Sequence, residues 1–600
     1  MSENIHAYYL DKEQQTHAVY LKQKSRSQML SWLRVALFLS TILGFWLVIS
    51  ESKPLYNLIS IPSLIGFFIA LRLYVKKEEE QRFSLAKLNV YRDELLALEN
   101  TYDHFDDGSI HVDHDHPYSS DLDIFGTGGL FQFLNRTTSS YGSLSLANFL
   151  RKTKIPIDLI RNRQKAIQEL GEKREWSEDF LASGRLSNSL ADEKAKVESW
   201  LNTPYKAYQG VFYVTMLKSL PVISIALLSL ALMERMPWQI FFLFALIPLT
   251  VVGSKVKAMT EECRMLSEFK VTLSKYYRLL EKIENESWES DLTKDLASKL
   301  KNDFQSAAGS IKELRKISDA LDNRENIVGA LVLNSLLLWD VRYGMKILKW
   351  KEQYQKDLVN WFDIIGEFEA LNSISFVATN RDDLNYPSLS EDKKLIVEAE
   401  SLGHILLDKN NRVDNDYGLS LPKRFVILTG ANMAGKSTFL RALGTNMVLA
   451  SAGAPVCAEK MVWRPFPLFS SMRTSDSLQS HESYFYAELK RLKQLLDTSD
   501  QEEELFIILD EILKGTNSKD KAEGSSLFVE KILSKNIYGI IATHDLSLCE
   551  LEKSYDTQVE NLSFDVSIVD DELHFDYKLK EGICKNMNAT FLLNKMGLVS

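Results

Sequence analysis

The sequence predicts an α/β domain at the C-terminus, preceded by an all-α region and two transmembrane helical hairpins. From about residue 395, short apolar strands alternate with glycine-rich turns and helices, the pattern of an α/β nucleotide domain. Residues 126–210 and 254–370 carry long helical patterns with few Gly or Pro. Four uncharged apolar runs occur in two pairs in the first half of the chain.

Length, charge and cysteine content narrow the class of protein. The 600 residues allow roughly four domains of about 150 residues each. The chain has 71 Lys and Arg residues against 81 Asp and Glu, a net charge of -10. This charge excludes attraction of nucleic acid by an overall positive potential of the protein. Four cysteines, none in a CxxC pair, make neither a disulfide framework nor a zinc site, which fits a reducing, cytoplasmic compartment.

The four apolar runs cover residues 35–50, 54–71, 220–233 and 236–253. With their neighbours they approach the roughly 20 residues that a transmembrane helix needs. No cleavage pattern follows the first run, which predicts an anchor rather than a removable leader. The alternative is that these runs are buried core helices of a soluble protein, and it is stronger for the second pair.

Basic residues predict the orientation of the two hairpins. Lysines and arginines precede or follow each pair of runs in the sequence. The short connections between the two runs of a pair hold only Lys53 and Arg235. The positive-inside rule then places both termini and all large segments in the cytoplasm. The flanking residues are Lys22, Lys24, Arg26, Arg72, Lys76, Lys77, Lys255 and Lys257.

Two further segments allow more than one interpretation. The loop from His104 to His116 holds four of the ten histidines and several aspartates, so a metal site is conceivable, but no ordered ligand spacing occurs and a solvated linker is favoured. The apolar run 327–339 is too short to span a membrane and predicts a buried core helix.

The strongest chemical signal is a phosphate-binding loop. An apolar strand at 425–428 precedes a GxxxxGK[ST] motif, and a helical pattern follows it. Glycines at 430 and 435 let backbone amides face phosphate oxygens, Lys436 reaches the β and γ phosphates, and the Ser437 hydroxyl ligates magnesium. ATP and Mg²⁺ are the predicted cofactors, held by Gly430, Ala431, Asn432, Met433, Ala434, Gly435, Lys436, Ser437 and Thr438.

Three polar side chains follow two other apolar strands. Strand 505–509 ends in Asp510 and Glu511, and strand 538–542 is followed by His544. The ends of parallel strands meet at one sheet edge, so these groups should lie beside the loop. We expect Asp510 to hold magnesium, Glu511 to act as general base, and His544 to sense the γ-phosphate, with Lys436 completing the catalytic set.

These motifs resemble those of the MutS family of mismatch-repair ATPases. The run 428–438, LTGANMAGKST, is similar to the family's TGPNMGGKST, and 510–516, DEILKGT, resembles DEIGRGT. Further likeness at 130–143, 368–378 and 577–582 extends the resemblance to about residues 125–210 and 300–600. It implies an ABC-like P-loop ATPase domain preceded by a MutS core and lever, active as a homodimer in which Ser483 reaches the partner's nucleotide.

The predicted organisation departs from mismatch-repair members of that family. Residues 1–100 supply an apolar hairpin in place of a mismatch-recognition domain, and about 195–300 holds the second hairpin where a DNA clamp is usual. The segments expected are a cytoplasmic N-terminus (1–27), hairpin 1 (28–77), an amphipathic helix and His/Asp-rich linker (78–125), MutS-like core helices (126–210), hairpin 2 (211–254), lever helices (255–370) and the ATPase domain (371–600).

The function predicted is a membrane-anchored, MutS-like ATPase that binds and hydrolyses ATP as a dimer on the cytoplasmic side of the membrane. DNA is a candidate for the ligand on which the ATPase acts, which would relate the protein to mismatch repair. The missing mismatch-recognition domain and the excess of acidic residues argue against mismatch-specific recognition. The alternative is a nucleotide-switched membrane scaffold or transporter-like module that does not bind DNA. An ABC exporter is disfavoured because no LSGGQ signature precedes Asp510.

Overall fold

A helical N-terminal region is followed by an α/β region, as predicted. The computed structural model describes residues 2–51, 53–187, 193–301, 305–472, 484–569 and 572–584. The helices that precede the sheets are α1 (Ser2–Glu51), α2 (Asn57–Leu98), α3 (Leu130–Leu134), α4 (Ser140–Leu150), α5 (Ile157–Glu172), α6 (Arg174–Arg185), α7 (Glu193–Asn202), α8 (Val211–Leu232), α9 (Trp238–Gly253), α10 (Val256–Glu268), α11 (Lys270–Asn285), α12 (Asp291–Ser298), α13 (Ala307–Leu321), α14 (Ile327–Leu337) and α15 (Trp339–Asn380).

The α/β region contains two sheets. A small sheet has the strand order β1-β5-β2-β3, and a larger one has the order β10-β9-β4-β8-β7-β6. Its elements are β1 (Ser388–Leu389), β2 (Leu395–Leu402), β3 (Asn415–Ser420), β4 (Phe425–Gly430), α16 (Lys436–Ala452), β5 (Lys460–Trp463), β6 (Leu468–Ser471), α17 (Tyr484–Gln501), β7 (Leu505–Asp510), α18 (Ser518–Leu533), β8 (Ile537–Thr543), α19 (Leu551–Ser554), β9 (Val559–Val569) and β10 (Glu572–Glu581).

The larger sheet brings the predicted site elements to one edge. β4 pairs in parallel with β8 and β9, and β8 pairs in parallel with β7, while β10 adds an antiparallel edge. All six residues of β4 are buried, which explains its apolar run at 425–428. The carboxyl ends of β4, β7 and β8 therefore lie side by side, where ligands bind in open α/β sheets.

The first hairpin is longer than its apolar runs. α1 and α2 contain 50 and 42 residues, pack along each other, and continue past residues 27 and 77 without a break. Their polar ends dock where α15 ends: the Tyr9 hydroxyl donates to Oδ1 of Asn380 (3.0 Å), and Nδ2 of Asn380 donates to Glu94 (2.9 Å). Glu94 also forms a buried ion pair with Arg136 (2.9 Å).

Several helices have the length and composition of membrane spans. Within the described residues, three helices are long and apolar enough to cross a membrane: α1, the helical segment ending with α2, and α8. The number rises to five if each of two bent pairs, α9 with α10 and α14 with α15, is counted as one span.

Most of the histidine-rich loop is exposed, as expected for a solvated segment, but two of its histidines are tied to the helical core. Nε2 of His111 lies 2.9 Å from the Ser143 hydroxyl, and Nε2 of His116 lies 3.1 Å from the carbonyl oxygen of Arg151. Burial lowers the pKa of both histidines. In the part of the chain that the structure describes, no group of three metal-binding side chains gathers here or elsewhere.

The short apolar run at 327–339 differs from its prediction as a buried core helix. It forms α14, whose residues Ile327, Val328, Leu331 and Val332 are exposed. α14 packs against α8 and α9 instead of the main core, and its axis turns by 80° into α15. The run is apolar because it belongs with the second apolar hairpin.

Candidate nucleotide site

The loop between β4 and α16 has the backbone geometry of a phosphate cradle. Gly435 adopts φ of 104°, which side chains disfavour, directly before the first residue of α16. At Gly430 a Cβ atom would lie 2.8 Å from the carbonyl oxygen of Phe564, so only glycine fits there. The loop therefore presents the amino end of a 17-residue helix, which favours anions.

Lys436 lies at the centre of this loop. Its Nζ donates to the carbonyl oxygens of Gly430 (2.6 Å) and Ala431 (2.9 Å). Burial lowers the pKa of the Lys436 ammonium, an effect that Asp510 and Glu511 oppose without cancelling. A buried cation whose hydrogen bonds to Gly430 and Ala431 carry no countercharge is well placed to bind an anionic phosphate.

Ser437 and Asp510, the two predicted magnesium ligands, lie in direct contact. The Ser437 hydroxyl donates to Oδ2 of Asp510 at 2.6 Å, which joins the first turn of α16 to the end of β7. Hydroxyl and carboxylate oxygens are the hard donors that Mg²⁺ prefers, usually with phosphate oxygens and water as further ligands. The donor set therefore fits this ion.

Glu511 occupies a constrained position directly after β7. Its φ is 52°, and its N–H donates to the carbonyl oxygen of Ala542 on β8 (2.8 Å). Burial acts to raise the pKa of the Glu511 carboxyl, but the ammonium of Lys521, bonded to Oε1, outweighs it and lowers the pKa overall. Glu511 is therefore ionised at neutral pH, as a general base must be.

His544 stands at the end of β8, with Nε2 3.5 Å from Nζ of Lys436. Burial and the neighbouring Lys436 ammonium lower the pKa of its imidazole, so it is neutral at pH 7. A neutral imidazole can donate one hydrogen bond to a phosphate oxygen or to water. This position is compatible with the predicted sensing role.

One cavity of about 600 Å³ unites the predicted residues. Gly430, at the start of the loop, is not among the lining residues. Ser483 lies outside the described residues, so the role of Ser483 in a partner's site stays a prediction. The other predicted residues all line the cavity: Ala431, Asn432, Met433, Ala434, Gly435, Lys436, Ser437, Thr438, Asp510, Glu511 and His544.

Two side chains at this site were absent from the predicted set. Lys521 lies on α18, and its ammonium donates a hydrogen bond to Glu511 because this helix packs near the end of β7. Tyr577 has φ of 51° at an irregularity in β10, and Asn415 holds its carbonyl oxygen with a 3.0 Å hydrogen bond. Its ring lies beside Gly435 on the cavity wall, where an aromatic face can stack on a nucleotide base.

The cavity is also lined by His404 and Arg412. Burial lowers the pKa of His404 to about 4, so it remains neutral. Arg412 is committed to Asp383 and Asp414, with Nε 2.7 Å from Oδ1 of Asp414. Among the described residues, the positive charges on the cavity wall that lack such close ion pairs are those of Lys436 and Lys514.

Comparison with known proteins assigns this region to a family. The family model for MutS domain V matches residues 426–592, which include the phosphate loop, Asp510, Glu511 and His544. This part of the chain is therefore similar to domain V of the MutS family.

Individual relatives agree with this assignment. The DNA mismatch repair protein MutS of Thermotoga maritima is 29% identical over 237 residues, which cover 39% of this chain and 29% of the relative. MutS protein homolog 4 of mouse is 30% identical over 195 residues, covering 31% and 20%. The Aquifex pyrophilus MutS is 31% identical over 225 residues, covering 37% and 26%. The chain matches less than a third of each relative's length.

Proposed function

We propose that this protein is a membrane-anchored ATPase that binds ATP with Mg²⁺ and hydrolyses it as a homodimer. The observation that carries the proposal is the meeting of Ser437 with Asp510, and of Glu511 with His544, around Lys436 in one cavity. Similarity of residues 426–592 to domain V of the MutS family supports the choice of ATP. A structural P-loop domain would not need two carboxylates and a neutral histidine at the same sheet edge.

Each side chain has a separate task in this proposal. Lys436 and the loop amides bind the β and γ phosphates, and Ser437 and Asp510 hold magnesium, which supplies charge neutralisation when bound. Glu511 orients water and accepts its proton at a carboxylate oxygen, while His544 donates a hydrogen bond near the γ-phosphate. Lys521 keeps Glu511 ionised and thus ready to accept that proton.

Two further parts of the proposal concern the assembly and its place in the cell. The family resemblance supports a homodimer in which Ser483 reaches the partner's nucleotide. The apolar helices α1, α2, α8 and α9, with lysines and arginines outside both pairs, support a multi-pass membrane protein with the bulk of the chain on the cytoplasmic side.

DNA is the output ligand suggested by the name of the Thermotoga relative. A second candidate is a nucleotide-switched membrane module that does not bind DNA. The net charge of -10 and the apolar pair α8 and α9, in the stretch where the family carries a DNA clamp, favour this second candidate. Both candidates share the ATPase and differ only in what its movement acts on.

ATP hydrolysis by the detergent-solubilised full-length protein, with homoduplex DNA, mismatched DNA or none, tests the proposal. Stimulation by DNA that falls as salt rises supports a DNA output. Turnover that ignores every DNA supports the membrane module, and preference for a mismatch would restore mismatch recognition. The absence of turnover under all conditions, including at high protein concentration, would overturn the ATPase itself.

Glu511→Gln tests the assigned chemistry. The variant should bind nucleotide with nearly parental affinity and lose about 10²- to 10⁴-fold in turnover, the usual contribution of a general base. Glu523→Gln, an exposed substitution of the same kind on α18, is the matched control and should be neutral. Parental turnover in Glu511→Gln would remove Glu511 from the mechanism.

A further inference from the structure

α14 carries an apolar face that no described element covers. Ile327 and Val328 are 75% and 71% exposed, and Leu331 and Val332, four residues further along, are about half exposed. Residues four apart lie on the same side of a helix, so these side chains form one continuous stripe. Exposed contiguous apolar surface of this kind marks a contact with a partner or a membrane.

The other side of α14 packs on the second apolar hairpin. α14 contacts both α8 and α9, and the Ser224 hydroxyl of α8 donates to the carbonyl oxygen of Ser335 at 3.0 Å. Both hairpin helices also leave large apolar side chains exposed, including Phe242 and Leu243 of α9. The stripe on α14 therefore adjoins a larger apolar surface that has the composition of a membrane span.

Polar contacts hold α14 firmly to the start of α15. Leu338, with φ of 51°, makes the turn between the two helices. Oδ1 of Asn334 accepts the N–H of Asp340 at 2.9 Å, and Asp340 pairs with Arg324 at 3.0 Å. The polar groups of Asn334, Asp340 and Arg324 therefore satisfy one another, and the buried Asp340 carboxylate has a counterion.

Aromatic and basic side chains surround the same corner. The rings of Trp339 and Tyr343 on α15 are 4.6 Å apart, and Nζ of Lys346 lies 4.7 Å from the Tyr343 ring. Lys255 and Lys257 are exposed where α9 gives way to α10. Aromatic rings followed by cations are typical of the cytoplasmic surface of a membrane.

We propose that α14 is a third membrane-embedded segment beside α8 and α9, with its exposed stripe in contact with lipid acyl chains. With 11 residues α14 is about 16 Å long, too short to cross a hydrocarbon core of about 30 Å, so the chain enters and leaves on the same side. This inference rests on the proposed membrane location. It makes the bilayer the anchoring point for the first residue of α15.

Fluorescence quenching in lipid vesicles tests the inference. The full-length protein carries Cys263→Ser, which leaves only buried cysteines, and Val328→Cys is labelled with a small fluorophore. The vesicles contain phosphatidylethanolamine and phosphatidylglycerol, with or without a spin label on the acyl chains, and iodide serves as the aqueous quencher. Leu230→Cys on α8 and Glu352→Cys on α15 are the hairpin and aqueous controls, and Leu331→Cys repeats the test on the stripe.

The inference requires that labels at Val328 and Leu331 behave like the label at Leu230. Spin-labelled lipid should quench them strongly, and iodide should quench them several-fold less than the label at Glu352. If iodide reaches Val328 and Leu331 while Leu230 remains lipid-quenched, α14 is outside the bilayer and only this inference fails. If iodide reaches Leu230 as well, the proposed membrane location of the second hairpin fails, and the inference fails with it.

Discussion

Replacing Lys521 with glutamine should move the acid limb of the pH–rate profile to higher pH. Lys521 bonds directly to Oε1 of Glu511, whereas the other nearby ammonium, that of Lys514, lies 4.0 Å from Oε2. The Lys521 and Glu511 side chains are only 20% and 24% exposed, so solvent screens the pair in part. An opposite charge at this range lowers a carboxyl pKa by about one to three pH units, each equivalent to about 1.4 kcal/mol.

The direction of the effect follows from the sign of the interaction. Lys521 stabilises the ionised form of Glu511, so in the parental protein the Glu511 carboxylate, the proposed general base, stays ionised to lower pH. In Lys521→Gln the pKa of Glu511 rises, and the carboxyl is protonated over the interval between the old and new values. Turnover should fall there by up to about tenfold for each pH unit, while at higher pH the variant should approach or match the parent.

The measurement is kcat against pH at saturating Mg²⁺ and ATP for the parent, Lys521→Gln and Lys519→Gln. Lys519 is exposed on the same helix and provides the same loss of charge without contact with Glu511. An acid limb that stays at the parental pH in Lys521→Gln would refute the assignment of Glu511 as the titrating base. An equal displacement in Lys519→Gln would show that a general field, and not the ion pair, controls it.

Three other changes have defined outcomes. Glu94→Gln leaves buried Arg136 without its counterion and should lower the free energy of unfolding by about 3–5 kcal/mol. Denaturant titration in detergent measures this loss, and an unchanged midpoint would contradict the burial argument. Ser437→Ala should raise the Mg²⁺ concentration for half-maximal turnover by roughly tenfold or more, and an unaltered Mg²⁺ titration would exclude Ser437 as a ligand. Tyr577→Ala should weaken nucleotide binding by about 1–3 kcal/mol if its ring stacks on the base, whereas equal loss for inorganic triphosphate would indicate a structural role.

Local motifs allowed most of the candidate site to be predicted. The spacing between Gly430 and Lys436 encodes a complete loop, and Asp510 and Glu511 follow a strand whose neighbours can be inferred from parallel-sheet rules. Lys521 and Tyr577 could not be placed in this way. The first reaches Glu511 only because α18 returns over the sheet edge, and the second depends on an irregularity in β10 that apolar alternation does not reveal.

The apolar helices show where hydrophobicity misleads as a guide to structure. The predicted hairpin at 28–77 stops where charges begin, but charge ends an apolar run without ending backbone hydrogen bonding. α1 therefore also includes residues 2–27, and α2 continues directly into the amphipathic helix predicted after residue 77. For α14 the sequence correctly predicts a short apolar helix, but the predicted position in a protein core is wrong. A short uncharged helix is apolar whether it faces a protein core or lipid, and only its neighbours α8 and α9 distinguish the two.

The two ends of α15 constrain how nucleotide binding can move the molecule. Asp340 ties its first turn to the corner formed with α14, and Asn380 ties its last turn to Tyr9 and Glu94 of the first hairpin. Its 42 residues form a rod about 63 Å long that is bound at both ends to helices with membrane-like composition. Such a rod cannot swing independently of the hairpins. Any movement of the C-terminal α/β region must therefore either tilt the rod and hairpins together or bend the chain directly after Asn380, where the helix ends.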